Sequence, residues 1–273
     1  MNTSAALIPC YNDDYSIFIC IQLIAPYVDE VIVIDDNSTD SSQLVVEFLC
    51  NRYSNIKGFR LKKQSGWTKI RNILPECTDA RHLFFIDADD FLYDPSQIEA
   101  IIKSKYIHVN LGLLELMGDF YHGTGRGFNI AWNDCCHCYI DRDYCQNFLW
   151  YHENTFTKLA TNCPKKNVSW EIPFLFHAKT VKADSRIWKR QLFREWIRKN
   201  EYGDTEFEKW LKEEKIDKER LSKIVIDSIK MEGLMPIPKH INIPNTMKEN
   251  DRFELVIRDN KLVGRIDHGW LFQ

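Results

Sequence analysis

His82-Leu83-Phe84-Phe85-Ile86-Asp87-Ala88-Asp89-Asp90 runs a short apolar stretch straight into three carboxylates. A continuous run of this length fits a strand of a parallel sheet covered on both faces. Two earlier runs end the same way. Ala5–Ile8 leads into Pro9-Cys10-Tyr11-Asn12-Asp13, and Glu30–Ile34 leads into Asp35-Asp36-Asn37-Ser38-Thr39-Asp40. Between these runs, Tyr15–Ala25 is apolar enough for a buried helix. Asp40–Arg52 spaces Leu44, Val45, Phe48 and Leu49 helically, with Asp or Ser available as N-cap. Ile56–Leu61 predicts a third strand, Trp67–Leu74 a short helix ahead of Pro75, and Asp94–Lys103 a helix after the fourth strand. The resulting β-α-β-α-β-α-β order predicts an α/β fold with a doubly wound, mostly parallel sheet. In such sheets ligands bind beyond the carboxyl ends of the strands, where all three polar clusters fall.

Working outward, Ile107–Leu116 and Asn129–Ile140 predict strands around a glycine-rich loop, His122-Gly123-Thr124-Gly125-Arg126-Gly127. Residues 185–232 have helical patterning. Pro236, Pro238 and Pro244 mark a linker, and Phe253–Ile257 with Lys261–Ile266 predict a terminal β-hairpin across Asp259-Asn260. The expected organisation is a catalytic domain over 1–182, a helical extension over 183–235, and a linker with hairpin over 236–273.

Composition places the chain among soluble globular proteins, at 44% hydrophobic and 27% charged. The most apolar stretch, Ile17–Ile34, is broken by Gln22, Pro26, Asp29 and Glu30, so no transmembrane segment is expected. With no basic region behind Met1, the expected location is cytoplasmic, the host cytoplasm if the source is viral. Nine cysteines, odd in number and irregular in spacing, argue for free thiols. Cys135-Cys136-His137-Cys138 invites a zinc reading, but no second matched pair follows, Cys145 and Cys163 being lone candidates. The first hundred residues hold 15 Asp/Glu against 8 Lys/Arg, while the remainder is net basic. An acidic first half suits a divalent cation that itself binds phosphates.

Asp87 and Asp89 form a D-x-D pair able to reach one cation together. Mn2+ or Mg2+ takes oxygen ligands and keeps substrate phosphates in its shell, neutralising charge as a nucleotide diphosphate leaves. A helix N-cap with a solvated turn is the plainer alternative. Asp35 and Asp36 can accept hydrogen bonds from a base or ribose, or simply cap the next helix. Tyr11 can stack on a base or sit at the core edge.

Taken together, Leu7-Ile8-Pro9-Cys10-Tyr11-Asn12, Val31–Asp40 and Phe85-Ile86-Asp87-Ala88-Asp89-Asp90 resemble the successive motifs of family 2 glycosyltransferases with a GT-A fold. Gln64-Ser65-Gly66-Trp67-Thr68-Lys69-Ile70-Arg71-Asn72 is similar to that family's glycine-to-Ala-Arg-Asn stretch, with Ile70 in place of the usual Ala. The resemblance covers residues 5–95 and fades beyond 100. It implies that Pro9, Tyr11, Asn12 and Asp36 hold the nucleotide, with Gly66, Arg71 and Ala88 close to the donor. It also implies that Asp87 contacts ribose or sugar and that Asp89 ligates the metal. Donors would be uridine diphosphate sugars, and the anomeric centre would be inverted. Arg71 has an alternative role, in a structural ion pair with Asp87 or Asp35.

Inversion needs one general base. The chain has no clean Glu-Asp pair in the place where this family carries one. Glu171, flanked by Trp170 and Phe174, is the first candidate, and Glu153 the second. His177, after the apolar run PFLF, can complete the metal shell or serve as a structural histidine. A basic run interleaved with aromatics over residues 179–199 reads either as a docked amphipathic helix or as an anionic contact. The acceptor could then be a saccharide, a lipid-linked saccharide at a membrane surface, or DNA bearing a modified base. Two other functions use the same sheet: a nucleotidyltransferase, which usually carries glycine and basic residues where PCYNDD stands here, and a non-catalytic nucleotide-binding module.

Overall fold

The structure is a computed structural model that describes residues 3–117, 122–124, 137–145, 148–153, 156–161, 167–180, 234–236, 253–258, 261–266 and 269–270. Its elements run β1 (Ser4–Cys10), α1 (Asp14–Ile24), β2 (Glu30–Asp35), α2 (Ser42–Arg52), β3 (Ile56–Arg60), α3 (Trp67–Ile73), β4 (His82–Phe85), β5 (Asp90–Leu92) and α4 (Ser96–Lys103). They continue with β6 (His108–Met117), β7 (His122–Thr124), β8 (Cys138–Asp141), β9 (Phe148–Glu153), β10 (Phe156–Thr161) and β11 (Asn167–Thr180). The last four are β12 (Leu234–Pro236), β13 (Phe253–Arg258), β14 (Lys261–Ile266) and β15 (Gly269–Trp270). The chain divides into two compact units.

In the first unit the sheet order is β6-β8-β4-β1-β2-β3. The four strands β4, β1, β2 and β3 are parallel, as expected, and β8 runs antiparallel between β4 and β6. This is the doubly wound, mostly parallel α/β arrangement that the sequence predicts. Every residue of β1 is buried, as are five of six in β2, because helices cover both faces. One face gathers Ala5, Leu7, Ile32, Ile34, Leu83 and Phe85 against Ile70 and Leu74 of the α3 segment and Trp150 of β9. At the outer strand, Gly58 lets α2 approach closely: a Cβ there would meet Val46 Cγ1 at 2.5 Å.

Three boundaries differ from the sequence reading. β1 continues through Pro9 to Cys10, pairing with Ile34 and Asp35, instead of ending at Ile8. The proline stands one residue from the strand end, where the loss of its N–H costs the ladder little. Second, α2 starts at Ser42, whose N–H is accepted by Asp40 Oδ1 at 2.9 Å. Third, β7 occupies the start of the expected glycine-rich loop, and β5 and β9–β11 lie where no strand was predicted. The predicted hairpin is present as β13 and β14. The helical extension over 183–235 and most of the linker lie outside the described residues. In the second unit, β7 pairs with the end of β6 and with β12.

Cys10, Cys20, Cys50, Cys77 and Cys138 are free thiols, as expected. Cys145 corrects that expectation: it is disulfide-bonded. Spacing alone carries no information on which cysteines folding brings together.

Candidate active site

The strand order reverses beside β1: β2 and β3 lie to one side of it and β4 to the other. Loops leaving β1 and β4 in such a sheet diverge and open a crevice at their carboxyl ends. The loop after β1 is tied to the loop after β2. Asn12 adopts φ 54°, a left-handed conformation that asparagine tolerates, and its N–H donates to Ser38 Oγ at 2.9 Å. Its side-chain oxygen accepts from Thr39 N at 2.8 Å and Asp40 N at 3.3 Å. Asp35 accepts from the Ser38 N–H and hydroxyl, and burial outweighs those bonds to push its carboxyl up. Asp36 is buried, and its two oxygens take the N–H groups of Ser65 (2.6 Å) and Gly66 (2.9 Å). Gly66 has φ 84°, so the glycine supplies a backbone that L side chains resist. Asp36 and Gly66 together start α3 and so aim Arg71.

Arg71 is buried. Its guanidinium pairs with Asp87 and lies over the Trp150 ring, 5.0 Å from the centroid. The ion pair foreseen for this arginine is therefore with Asp87 and not with Asp35. The neighbouring Asn72 clasps Trp150 reciprocally, donating to its carbonyl at 2.9 Å and accepting from its N–H at 2.8 Å. One dipeptide of α3 thus grips both the carboxylate loop and β9.

Asp87, Asp89 and Asp90 follow β4. Asp90 is fully buried and begins β5, whose antiparallel pairing with β11 sets His177 opposite Asp90. His177 Nδ1 lies 2.8 Å from Asp90 Oδ1 and 3.8 Å from Asp89 Oδ1. Asp90 Oδ2 accepts the Asp87 N–H at 2.6 Å. His137, one residue before β8, is carried to the same place because β8 pairs with β4 up to Phe85↔Cys138. Its Nε2 stands 3.0 Å from Asp90 Oδ2 and 3.4 Å from Asp87 Oδ2. Asp90, His137 and His177 can each turn one ligand atom inward, all within 4.8 Å of one another.

Burial opposes charge on Asp87, but Arg71 first, then His137 and His177, outweigh it and hold the carboxyl well below the usual carboxylate range. Asp90 is likewise held low against burial by His137 and His177. Burial also disfavours the two imidazolium ions. Asp90 and Asp87 nevertheless push His137 well above its ordinary value, and Asp89 with Asp90 raises His177. The cluster gathers oxygen and nitrogen donors suited in composition to a divalent metal, which on binding would displace the protons the two histidines otherwise hold.

The structure brings together Arg71, Asp87, Asp89 and His177, all foreseen in the sequence, with Ala88 buried between the two aspartates. Pro9 is buried in β1, and Tyr11 is half-buried in the loop that follows. Glu153 ends β9, and Glu171 lies in β11, six residues before His177. Along an extended strand that separation is about 20 Å. Two members were missed. Asp90 was visible as the third carboxylate of the quoted run, and the register that buries it was not. His137 was read with its cysteine neighbours as a zinc candidate. In fact Cys138, the first residue of β8, turns into the core with Phe85 and Ile140, while His137 just before it faces the carboxylates.

Residues 5–109 match the family described as Glycosyl transferase family 2. The chain is similar to poly(ribitol-phosphate) beta-N-acetylglucosaminyltransferase TarS of Staphylococcus aureus strains Mu50 and MW2, at 28% identity over 129 residues. That match covers 45% of this chain and 22% of the relative, so the chain spans about a fifth of the length of these proteins. Among solved structures, S. aureus TarS aligns over 75% of this chain and 41% of its own, at 15% identity and TM-score 0.46. TarS 1-349 in complex with UDP-GlcNAc aligns over 70% and 66%, at 16% and TM-score 0.46.

Proposed function

Taking the family 2 glycosyltransferase domain of residues 5–109 as premise, we propose that this chain transfers a sugar from a uridine diphosphate donor to an acceptor hydroxyl, with a divalent cation at the Asp87–Asp90 loop and with inversion. One observation carries the reading: Asp87, Asp89, Asp90, His137 and His177 converge at the carboxyl end of β4, beside the point where the strand order reverses. When bound, the ion supplies charge compensation for the departing diphosphate. Arg71 holds Asp87 in place and contributes fixed positive charge on the donor side. Tyr11 and the Asn12–Ser38 lock shape the nucleotide end of the crevice. Glu153 and Glu171 are the carboxylates to test as general base. UDP-N-acetylglucosamine is the first donor to try, since the curated relative is named an N-acetylglucosaminyltransferase. The acceptor is proposed to be a hydroxyl of a saccharide, lipid-linked saccharide, anionic polyol chain or modified DNA base. Among the described residues, no helix is long and apolar enough to cross a membrane.

The test is slow donor hydrolysis. With Mn2+ and a panel of nucleotide sugars, one donor should release its nucleotide diphosphate, and Asp89→Ala should lower that rate by at least a hundredfold. Full hydrolysis by the variant would remove Asp89 from the site. Glu153→Gln and Glu171→Gln should differ in transfer while sharing donor affinity, the slow one identifying the base. A nucleotidyltransferase would instead release pyrophosphate from a nucleoside triphosphate.

A further inference from the structure

The Asp87–Asp89 pair offers a cation only oxygen. The structure adds nitrogen from a segment that carries none of the family motifs. His137 Nε2 is buried and makes no hydrogen bond, although Asp90 Oδ2 is only 3.0 Å away. The distance suits a hydrogen bond, but the direction does not. The nitrogen thus stands within reach of two carboxylate oxygens, at 3.0 Å and 3.4 Å, without being well aligned on the nearer one, which is the placement of a donor beside a shared ion. Two ligands in adjacent positions around an ion, each about 2.1 Å from it, stand about 3.0 Å apart. The spacing of His137 Nε2 and Asp90 Oδ2 matches that. The His137 and His177 rings meet edge to face at 5.9 Å between centroids, so both imidazoles border one small volume. Asp90, His137 and His177 come from β5, the start of β8 and β11, and strand pairing fixes all three.

We infer that His137 is a direct ligand of the divalent cation, and that the set Asp90, His137 and His177 selects a first-row transition ion over Mg2+. This inference rests on the proposed donor reading for the ion's task, but the ligand set can be tested without turnover. Imidazole donors favour Mn2+, Co2+ and Zn2+, while Mg2+ prefers oxygen and retains its water. Mn2+ is the probe of choice, because thiols such as Cys20, 3.6 Å from the Asp87 carbonyl, compete for softer ions.

The full chain, stripped of metal and mixed with UDP, is titrated with Mn2+ and followed by electron paramagnetic resonance. Mg2+ in tenfold excess should leave most of the Mn2+ bound. Pulsed spectra of the unmodified protein should show nitrogen coupling from two imidazoles. His137→Gln should weaken Mn2+ binding by ten- to a hundredfold and leave one nitrogen coupling. Coupling from a single imidazole in the unmodified protein, or equal displacement by Mg2+, would overturn the inference while leaving the donor reading standing. Undiminished Mn2+ affinity in a folded His137→Gln would do the same, making His137 a counter-charge only. Should that variant fail to fold, the spectrum of the unmodified protein decides. Absence of Mn2+ binding with UDP present would overturn both the inference and the cation reading.

Discussion

At the scale of single residues, Arg71 shows how a buried charge is kept. Its side chain retains 3% of its surface and that of Asp87 19%, so neither ion is well hydrated. The pair is tolerated because the guanidinium also lies over Trp150. Arg71→Met should leave Asp87 without its main counter-charge, with only His137 and His177 remaining nearby, and cost about 3 kcal/mol in urea unfolding. Arg71→Lys should recover part of this, since the charge returns but the planar contact with the indole does not. If Arg71→Met is as stable as the unmodified chain, the pair has no structural role. Asp87 and Arg71 could be read from their places in the motifs. Asp90 and His137 could not: their roles depend on which strand pairs with which, and β5 is only three residues long. A stretch that short shows no usable periodicity in sequence.

At the scale of elements, packing between α2 and β3 depends on one missing methyl. The Cβ of an alanine at Gly58 would stand 2.5 Å from Val46 Cγ1 and 3.0 Å from Cys50 Sγ. Val46 belongs to the stiff β-branched class and cannot swing away cheaply. Gly58→Ala should therefore destabilise the protein by about 1–3 kcal/mol despite the better strand propensity of alanine, read as a lowered urea midpoint with unchanged slope. The link between α3 and β9 makes a second case. Asn72→Asp keeps an acceptor for the Trp150 N–H but loses the donor to its carbonyl. The expected cost is about 1–2 kcal/mol, and Asn72→Asp with full stability would show the clasp to be dispensable. Of the four parallel strands, β1, β2 and β4 were legible because each is a continuous run buried nearly throughout, whereas β3 exposes four of its five residues and was legible from its place between two helices. β11 was not, because its partner β5 lies 87 residues away; β9 and β10 pair with each other locally, but Asn154-Thr155 between them is not one of the glycine-containing pairs that announce a hairpin.

At the scale of the whole molecule, the two ends of β4 respond to acid in opposite senses. The carboxyl end carries His137 and His177, both raised by neighbouring aspartates. The amino end carries His82, buried, with Nδ1 2.8 Å from Tyr139 Oη and its ring stacked on that tyrosine. Burial lowers the His82 pKa, with Arg81 adding to the effect and Asp141, Asp143 and Asp29 opposing it. A lowered histidine binds its proton later in the folded state than in the unfolded one. Above pH 6.5, the unfolded value, neither state is protonated there and the contribution is constant. As pH falls below 6.5 the unfolded chain takes up the proton first, so stability declines by up to about 1.4 kcal/mol per pH unit. The decline stops once pH passes the folded value. His82→Phe keeps a stacked ring and removes the titration, at a fixed cost for the tyrosine hydroxyl that loses its partner. Urea unfolding of both proteins at pH 7.5 and pH 5.5 separates these effects. His137, His177 and the carboxylates contribute equally to the two chains and cancel in the difference. The unmodified chain should lose stability relative to His82→Phe on going to pH 5.5, and an unchanged difference would mean that His82 is protonated equally in both states.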